Sequence, residues 1–196
     1  MKIRPFKGIR PVPELVKKIA CRPYDVMNTS EARKELNANP ESFLQVVKPE
    51  TTLPEEIDHY DERVYQAADQ NFKELVRKGI FIQDNTPCLY IYELTMNGRS
   101  QDGIVACAAV EDYMNDKIKK HELTRPDKEN DRKNHVRYSM INAEPVFFAY
   151  KAAKALEDIV HACKQARPDY DFIAEDQVKH RFWKVDDQET IESITS

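Results

Sequence analysis

The chain has 196 residues, 41% of them apolar and 33% charged, and carries a net charge of −4. That length can bury a sizeable core, and the charge excludes a global positive field of the kind that attracts a nucleic-acid backbone. No apolar run reaches the length of a membrane span or an export signal, so the expected location is the cytoplasm.

In chain order, Ile3 to Pro13 reads as an extended strand followed by a proline-punctuated loop. Glu14 to Ala20 gives one or two helical turns before Arg22-Pro23. Asn28 with Glu31 forms a capping pair for a short helix to Leu36, stopped at Asn39-Pro40. Phe43 to Val47, apolar at four of five positions, predicts a buried strand. Lys48 to Glu56 reads as a linker. Thr52-Leu53-Pro54-Glu55 fits a capping box, and apolar residues recur at helical spacing from Ile57 to Leu75, so a helix is expected from Thr52 to Lys78 with Gly79 as its stop.

Cys88 to Met96 and Gly103 to Val110 read as strands joined through a polar loop containing Asn97-Gly98, the chemistry of a hairpin. Val146 to Tyr150 and His180 to Val185 predict two more strands, Lys154 to Lys164 a helix, and Asp186 to Ile194 a final short helix. Strands and helices do not alternate as a doubly wound sheet requires. The expected class is α+β, a mixed and mostly antiparallel sheet flanked by helices. The expected organisation is a single N-terminal domain over residues 1–196 of a longer protein, or two lobes joined near residues 48–56.

Only four glycines are present, and neither G-x-G-x-x-G nor G-x-x-x-x-G-K-[ST] occurs, which excludes the glycine-rich phosphate loops. Cys21, Cys88, Cys107 and Cys163 are scattered without C-x-x-C spacing, and free thiols are expected. His59 and His161 have no ligand partner at helical spacing, which speaks against zinc.

Chemistry concentrates between Lys119 and His135. Thr124-Arg125-Pro126-Asp127 fits a capping box, with Thr124 as the cap of a helix. A helix N-terminus offers free amides and partial positive charge to an anion. Lys128, Arg132 and His135 fall on one helix face, and Arg125 enters from the preceding turn. Arg125, Lys128 and Arg132 are therefore the candidate anion-binding residues. Asp131 and Glu129 are candidate ligands for the magnesium ion that accompanies a nucleotide, and His121 is the candidate general acid or base. The same residues also make a plain solvated helix start. Tyr24 and Asp25 form a further pair, either exposed at a loop end or satisfied in the interior. Arg4, Lys7 and Arg10 read as a solvated strand face, and His180-Arg181 before Trp183 as structural.

Several stretches stand out in order: Ile3 to Pro11, Pro23-Tyr24-Asp25-Val26, Asn39 to Leu44, Lys48-Pro49-Glu50, Ile118-Lys119-Lys120-His121-Glu122, Thr124 to Glu129, Asp131-Arg132, Pro145-Val146-Phe147 and His180-Arg181 with Trp183. Together they resemble the family known only as domain of unknown function 1015. The resemblance implies a protein about twice this length, whose later half carries an Asp-Gly-His-His-Arg-Tyr motif similar to partition-protein-B-like nucleotide-binding and serine-kinase folds. It carries no established activity. Asn142-Ala143-Glu144 departs from the family at a position where relatives tend to have glycine, so the turn there is expected to differ.

Two functional classes stay open. One is the N-terminal domain of a phosphate- or nucleotide-handling enzyme. The other is a non-catalytic binding or regulatory module whose basic block contacts the later half or a partner chain. The expected partners are that later half, a small anionic ligand and a second copy of the chain. A membrane is not expected, and nucleic acid is disfavoured by the acidic balance.

Overall fold

The computed structural model describes residues 1–121 and 123–196, so Glu122 of the resemblance block lies outside the described residues. In order come β1 (Ile3–Arg4), β2 (Ile9–Pro11), α1 (Val16–Ile19), α2 (Thr29–Ala38), α3 (Leu44–Val47), α4 (Glu62–Arg77), β3 (Phe81–Gln83) and β4 (Leu89–Met96). They are followed by β5 (Arg99–Val105), β6 (Cys107–Ala108), α5 (Val110–Met114), α6 (Pro126–Ser139), α7 (Lys154–Cys163), β7 (Tyr170–Ile173), β8 (Lys179–Val185) and α8 (Gln188–Thr195). The class is α+β. The chain forms two compact units: Met1–Pro13 with Gln83–His121 and Phe147–Ser196, and Glu14–Ile82 with Glu122–Val146. Residues 48–56 lie inside the second unit.

The first unit is built on an antiparallel sheet in the order β5-β4-β8-β7. Met96 pairs with Arg99, so the polar loop contracts to Asn97 (φ 52°) and Gly98 (φ 76°), the two left-handed positions that a primed hairpin turn demands. Side chains alternate across the sheet. Leu89, Ile91, Trp183 and Val185 bury one face against Val160 of α7 and Ile191 of α8. On the other face Tyr90 and Tyr170 each stack on Phe182 with centroids 5.2 Å apart. The Tyr90 hydroxyl donates to Asp84 at 2.8 Å and accepts from the Gly8 amide at 2.8 Å.

Arg10 departs from the expected solvated strand face. It forks onto Asp84 at 2.9 Å with both side chains largely buried. Alternation alone could not show that an acid from a distant segment waits on the same side. Val146 to Tyr150 is not a strand, and Val146, Phe147 and Tyr150 are more than half exposed. An apolar run becomes a strand only where another strand pairs with its amides, which local sequence does not specify. Conversely β7, with acids beside its aromatics, was not foreseen, and Val110 opens a helix rather than ending a strand.

In the second unit α2 starts as expected. Asn28 Oδ1 accepts from the Glu31 amide, and the Glu31 carboxylate accepts from the Asn28 amide, both at 2.9 Å. Phe43 to Val47 folds as the short helix α3 instead of a strand. A five-residue stretch with four apolar positions is too short for periodicity to separate the two, and Leu44, Val46 and Val47 are buried. The helix expected from Thr52 begins ten residues later, at Glu62 behind the Asp61 cap. Thr52 Oγ1 donates to the Pro49 carbonyl at 2.9 Å, closing its own turn rather than accepting from a helix amide. At the far end, Gly79 (φ 71°) donates to Val76 and Ile80 donates to Leu75, the paired bonds of a glycine-terminated helix. Phe72 and Leu75 of α4 pack with Ile19, Val46, Ile80 and Phe81, while Met27, Ala32, Leu44 and Val47 form an adjoining cluster.

Arg125, not Thr124, is the N-cap of α6, and it makes no side-chain cap bond; Pro126 takes the first helical position. Proline is tolerated there because its missing amide is one of the helix's unpaired donors anyway and its fixed φ already suits the helix. Asn28→Ala should therefore lower stability by about 1 kcal/mol, while Thr124→Ala changes it by only a few tenths. Urea melts of the two variants check this, and equal losses would contradict it.

Candidate functional site

The second unit holds a cavity of about 290 Å³. Helix α6 presents Lys128, Asp131, Arg132 and His135 to it, at the spacing of one helix face. The segment from Lys48 to Glu50 and the residues Tyr24, His59 and Tyr65 also contribute to its lining.

Arg132 is the most constrained of these groups. Its Nε and Nη2 lie 3.2 and 2.8 Å from Asp131 Oδ2, and its Nη1 lies 3.4 Å from Glu144 Oε2. The guanidinium carbon sits 4.2 Å from the centre of the Tyr24 ring. Asp131 is held in turn, because Tyr65 donates its hydroxyl to Oδ1 at 3.0 Å and stacks on Tyr138. Burial pushes the Tyr65 phenol up to about 12, helped by the Asp131 charge, and burial likewise raises Tyr24. Both phenols stay protonated at neutral pH.

His135 is buried, with Nε2 2.8 Å from the Val46 carbonyl, and burial pushes its pKa down. It is a neutral donor tying α6 to α3. Across the lining, Glu50 is 7% exposed and pairs with Lys48 at 3.2 Å; His59 Nδ1 lies 3.5 Å away. Arg33 of α2 fixes this turn by donating to the Glu50 and Thr51 carbonyls at 2.8 and 3.0 Å.

The ionic balance of the lining is positive. Lys48, Lys128 and Arg132 face Glu50 and Asp131, and Lys128 has no ion-pair partner among the described residues. A second concavity, of about 550 Å³, lies in the first unit beside α7, but its lysines are matched: Lys154 by Asp158, and Lys164 by Glu93 and Asp102.

Lys128, Asp131, Arg132, His135 and Tyr24 thus come together from the residues singled out in the sequence. The others do not join them. Arg125 is exposed and forks onto its own Asp127 at 2.6 Å; Glu129 is exposed beside Thr124; Asp25 is exposed. His121 is exposed, belongs to the first unit and is not in the lining. Among the described residues no group of three or more His, Cys, Asp or Glu is placed to hold a metal ion. Lys48, Glu50, His59 and Tyr65 were missed. Lys48 and Glu50 stood out only as a stretch of the family resemblance, in a segment that otherwise reads as a linker.

A family model described as Protein of unknown function (DUF1015) matches residues 3–196. No curated protein and no solved structure matches the chain. No helix among the described residues is long and apolar enough to cross a membrane.

Proposed function

The chain belongs to this family of unknown function, and from that starting point we propose that its second unit binds a small phosphate-bearing anion at Lys128 and Arg132, as part of a phosphate- or nucleotide-handling protein. The observation that carries the proposal is Lys128, an unmatched cation in a cavity whose neighbouring guanidinium is already held in place. A fixed fork loses little freedom on meeting an anion, and a hydrogen bond to a charged group contributes about 1.5–3 kcal/mol. The volume lies at the small end of ligand pockets, roughly 300–1,000 Å³, which suits an inorganic phosphate, a pyrophosphate or the phosphate end of a larger molecule. A magnesium ion arriving with such a ligand would find Asp131 in the lining.

Calorimetric titration with phosphate, pyrophosphate and ATP tests the proposal. Lys128→Ala should weaken the strongest of these by about 1.5–3 kcal/mol while leaving the melting temperature nearly unchanged, since Lys128 makes no ion pair among the described residues. Absence of binding, or binding indifferent to Lys128→Ala, would hand the basic block to the rival role, salt bridges to a partner chain.

A catalytic role for the same cavity would fall to His59 rather than His121. His59 lines it with Nδ1 close to Glu50, whereas His121 does not line it and His135 has spent its Nε2 on Val46.

A further inference from the structure

Arg132 is shared between two carboxylates that hold it unequally. Asp131 takes two guanidinium nitrogens and is itself anchored by the Tyr65 hydroxyl. Glu144, on the segment after α6, makes one contact, at 3.4 Å to Nη1. An anion that takes up Arg132 must replace one of them, and the single long contact costs less to break. Neither side of that contact is sealed: the side chains of Arg132 and Glu144 are 33% and 30% exposed, so the displaced carboxylate can turn to water.

We propose that Glu144 gates the anion site as an internal competitor, occupying Arg132 until an incoming anion displaces it. The inference rests on the anion-binding role proposed above and adds its regulation.

The surroundings of Glu144 make the competition pH-dependent. Burial pushes its carboxyl above the ordinary glutamate value, and Asp25 adds to the rise. Arg132 and the Tyr24 amide pull the other way without cancelling it. Besides Asp131, which shares the guanidinium, the titratable groups coupled to Glu144 are the phenol of Tyr24, which burial raises, and the thiol of Cys21, which burial first, and then Glu35 and Glu144, push to about 12. Both are neutral and do not change charge in the carboxylate range. As pH falls, Glu144 therefore takes a proton earlier than an ordinary glutamate and releases Arg132. The site should bind a fixed-charge anion more tightly as it does so.

Inorganic sulfate is the suitable probe, because it stays doubly charged throughout. Wild type, Glu144→Gln and Glu144→Ala are titrated with sulfate at about pH 7.5 and about pH 5, with thermal melts confirming that each is folded. At the higher pH both variants should bind sulfate about three- to fivefold more tightly than wild type, the scale of one partly exposed ion pair. At the lower pH the ratio should shrink toward one. The second variant guards against a local defect particular to glutamine. Equal affinities for all three proteins at the higher pH would overturn the gating, as would an unchanged ratio at both pH values. The anion site itself is judged separately. If Lys128→Ala weakens sulfate binding while the Glu144 variants are silent, the site stands and the gate is lost. If no protein binds sulfate, both fall.

Discussion

Glu93→Ala is expected to lower the stability of the first unit by about 3 kcal/mol. Glu93 lies on β4 and is 2% exposed. It accepts from Arg181 Nε at 2.6 Å and pairs with Lys164 at 2.5 Å, while Lys164 also reaches Asp102 at 2.8 Å. Removing the carboxylate takes Arg181's ion-pair partner away beside the Trp183 ring and leaves Lys164 with Asp102 alone. Their partial exposure, 18% for Lys164 and 33% for Arg181, keeps the loss at the lower end of the range for buried pairs. The pH dependence has a definite sign. Burial raises the Glu93 carboxyl, but Lys164 and Arg181 together outweigh it and the net shift is downward. A depressed carboxyl contributes its stability above the ordinary glutamate range and loses it as pH falls through the folded value. Wild type should therefore lose more stability than Glu93→Gln on acidification below about pH 4.5. Trp183, the only tryptophan, is buried in this unit and gives the fluorescence signal for urea unfolding. A Glu93→Ala midpoint within about 0.5 kcal/mol of wild type would contradict the assignment.

Arg132→Ala is expected to weaken pyrophosphate binding ten- to a hundredfold, the equivalent of about 1.5–3 kcal/mol. It also leaves Asp131 and Glu144 without their cation, so a modest stability loss should accompany it. Arg132→Lys separates the two effects. Lysine keeps the charge but loses both the planar fork that faces Asp131 and the stacking on Tyr24, so it should recover stability better than affinity. Calorimetry beside circular-dichroism melts reads both quantities. Unchanged affinity in both variants would remove Arg132 from the site.

Features with a local signature were legible in the sequence. Asn28-Glu31, Asn97-Gly98 and Gly79 each encode their geometry within a few residues, and the first cap, the hairpin and the end of α4 follow from them. The spacing of Lys128, Arg132 and His135 likewise put one face of α6 in view. What failed depended on distant partners. The strands predicted at residues 43–47 and 146–150 needed neighbours that the fold does not supply, and Arg10 needed Asp84, seventy-four residues away, to leave the surface. The opposite wall of the cavity was hidden for a related reason. Lys48 and Glu50 look like linker residues until Arg33 holds their turn, and Tyr65 looks like one more position on an amphipathic helix until its hydroxyl meets Asp131. His121 drew attention by its place beside the basic block, but proximity in sequence did not carry it into the cavity.

If the cavity of the second unit is an anion site, a crystal structure of the protein soaked with pyrophosphate will show the ligand in it. The anion is expected within hydrogen-bond distance of Lys128 Nζ and the Arg132 guanidinium, with Asp131 still on Arg132 and the Glu144 carboxylate moved off Nη1. A cavity without the anion, at a concentration where titration detects binding, would contradict the assignment of Lys128 and Arg132, as would an anion bound only elsewhere on the chain.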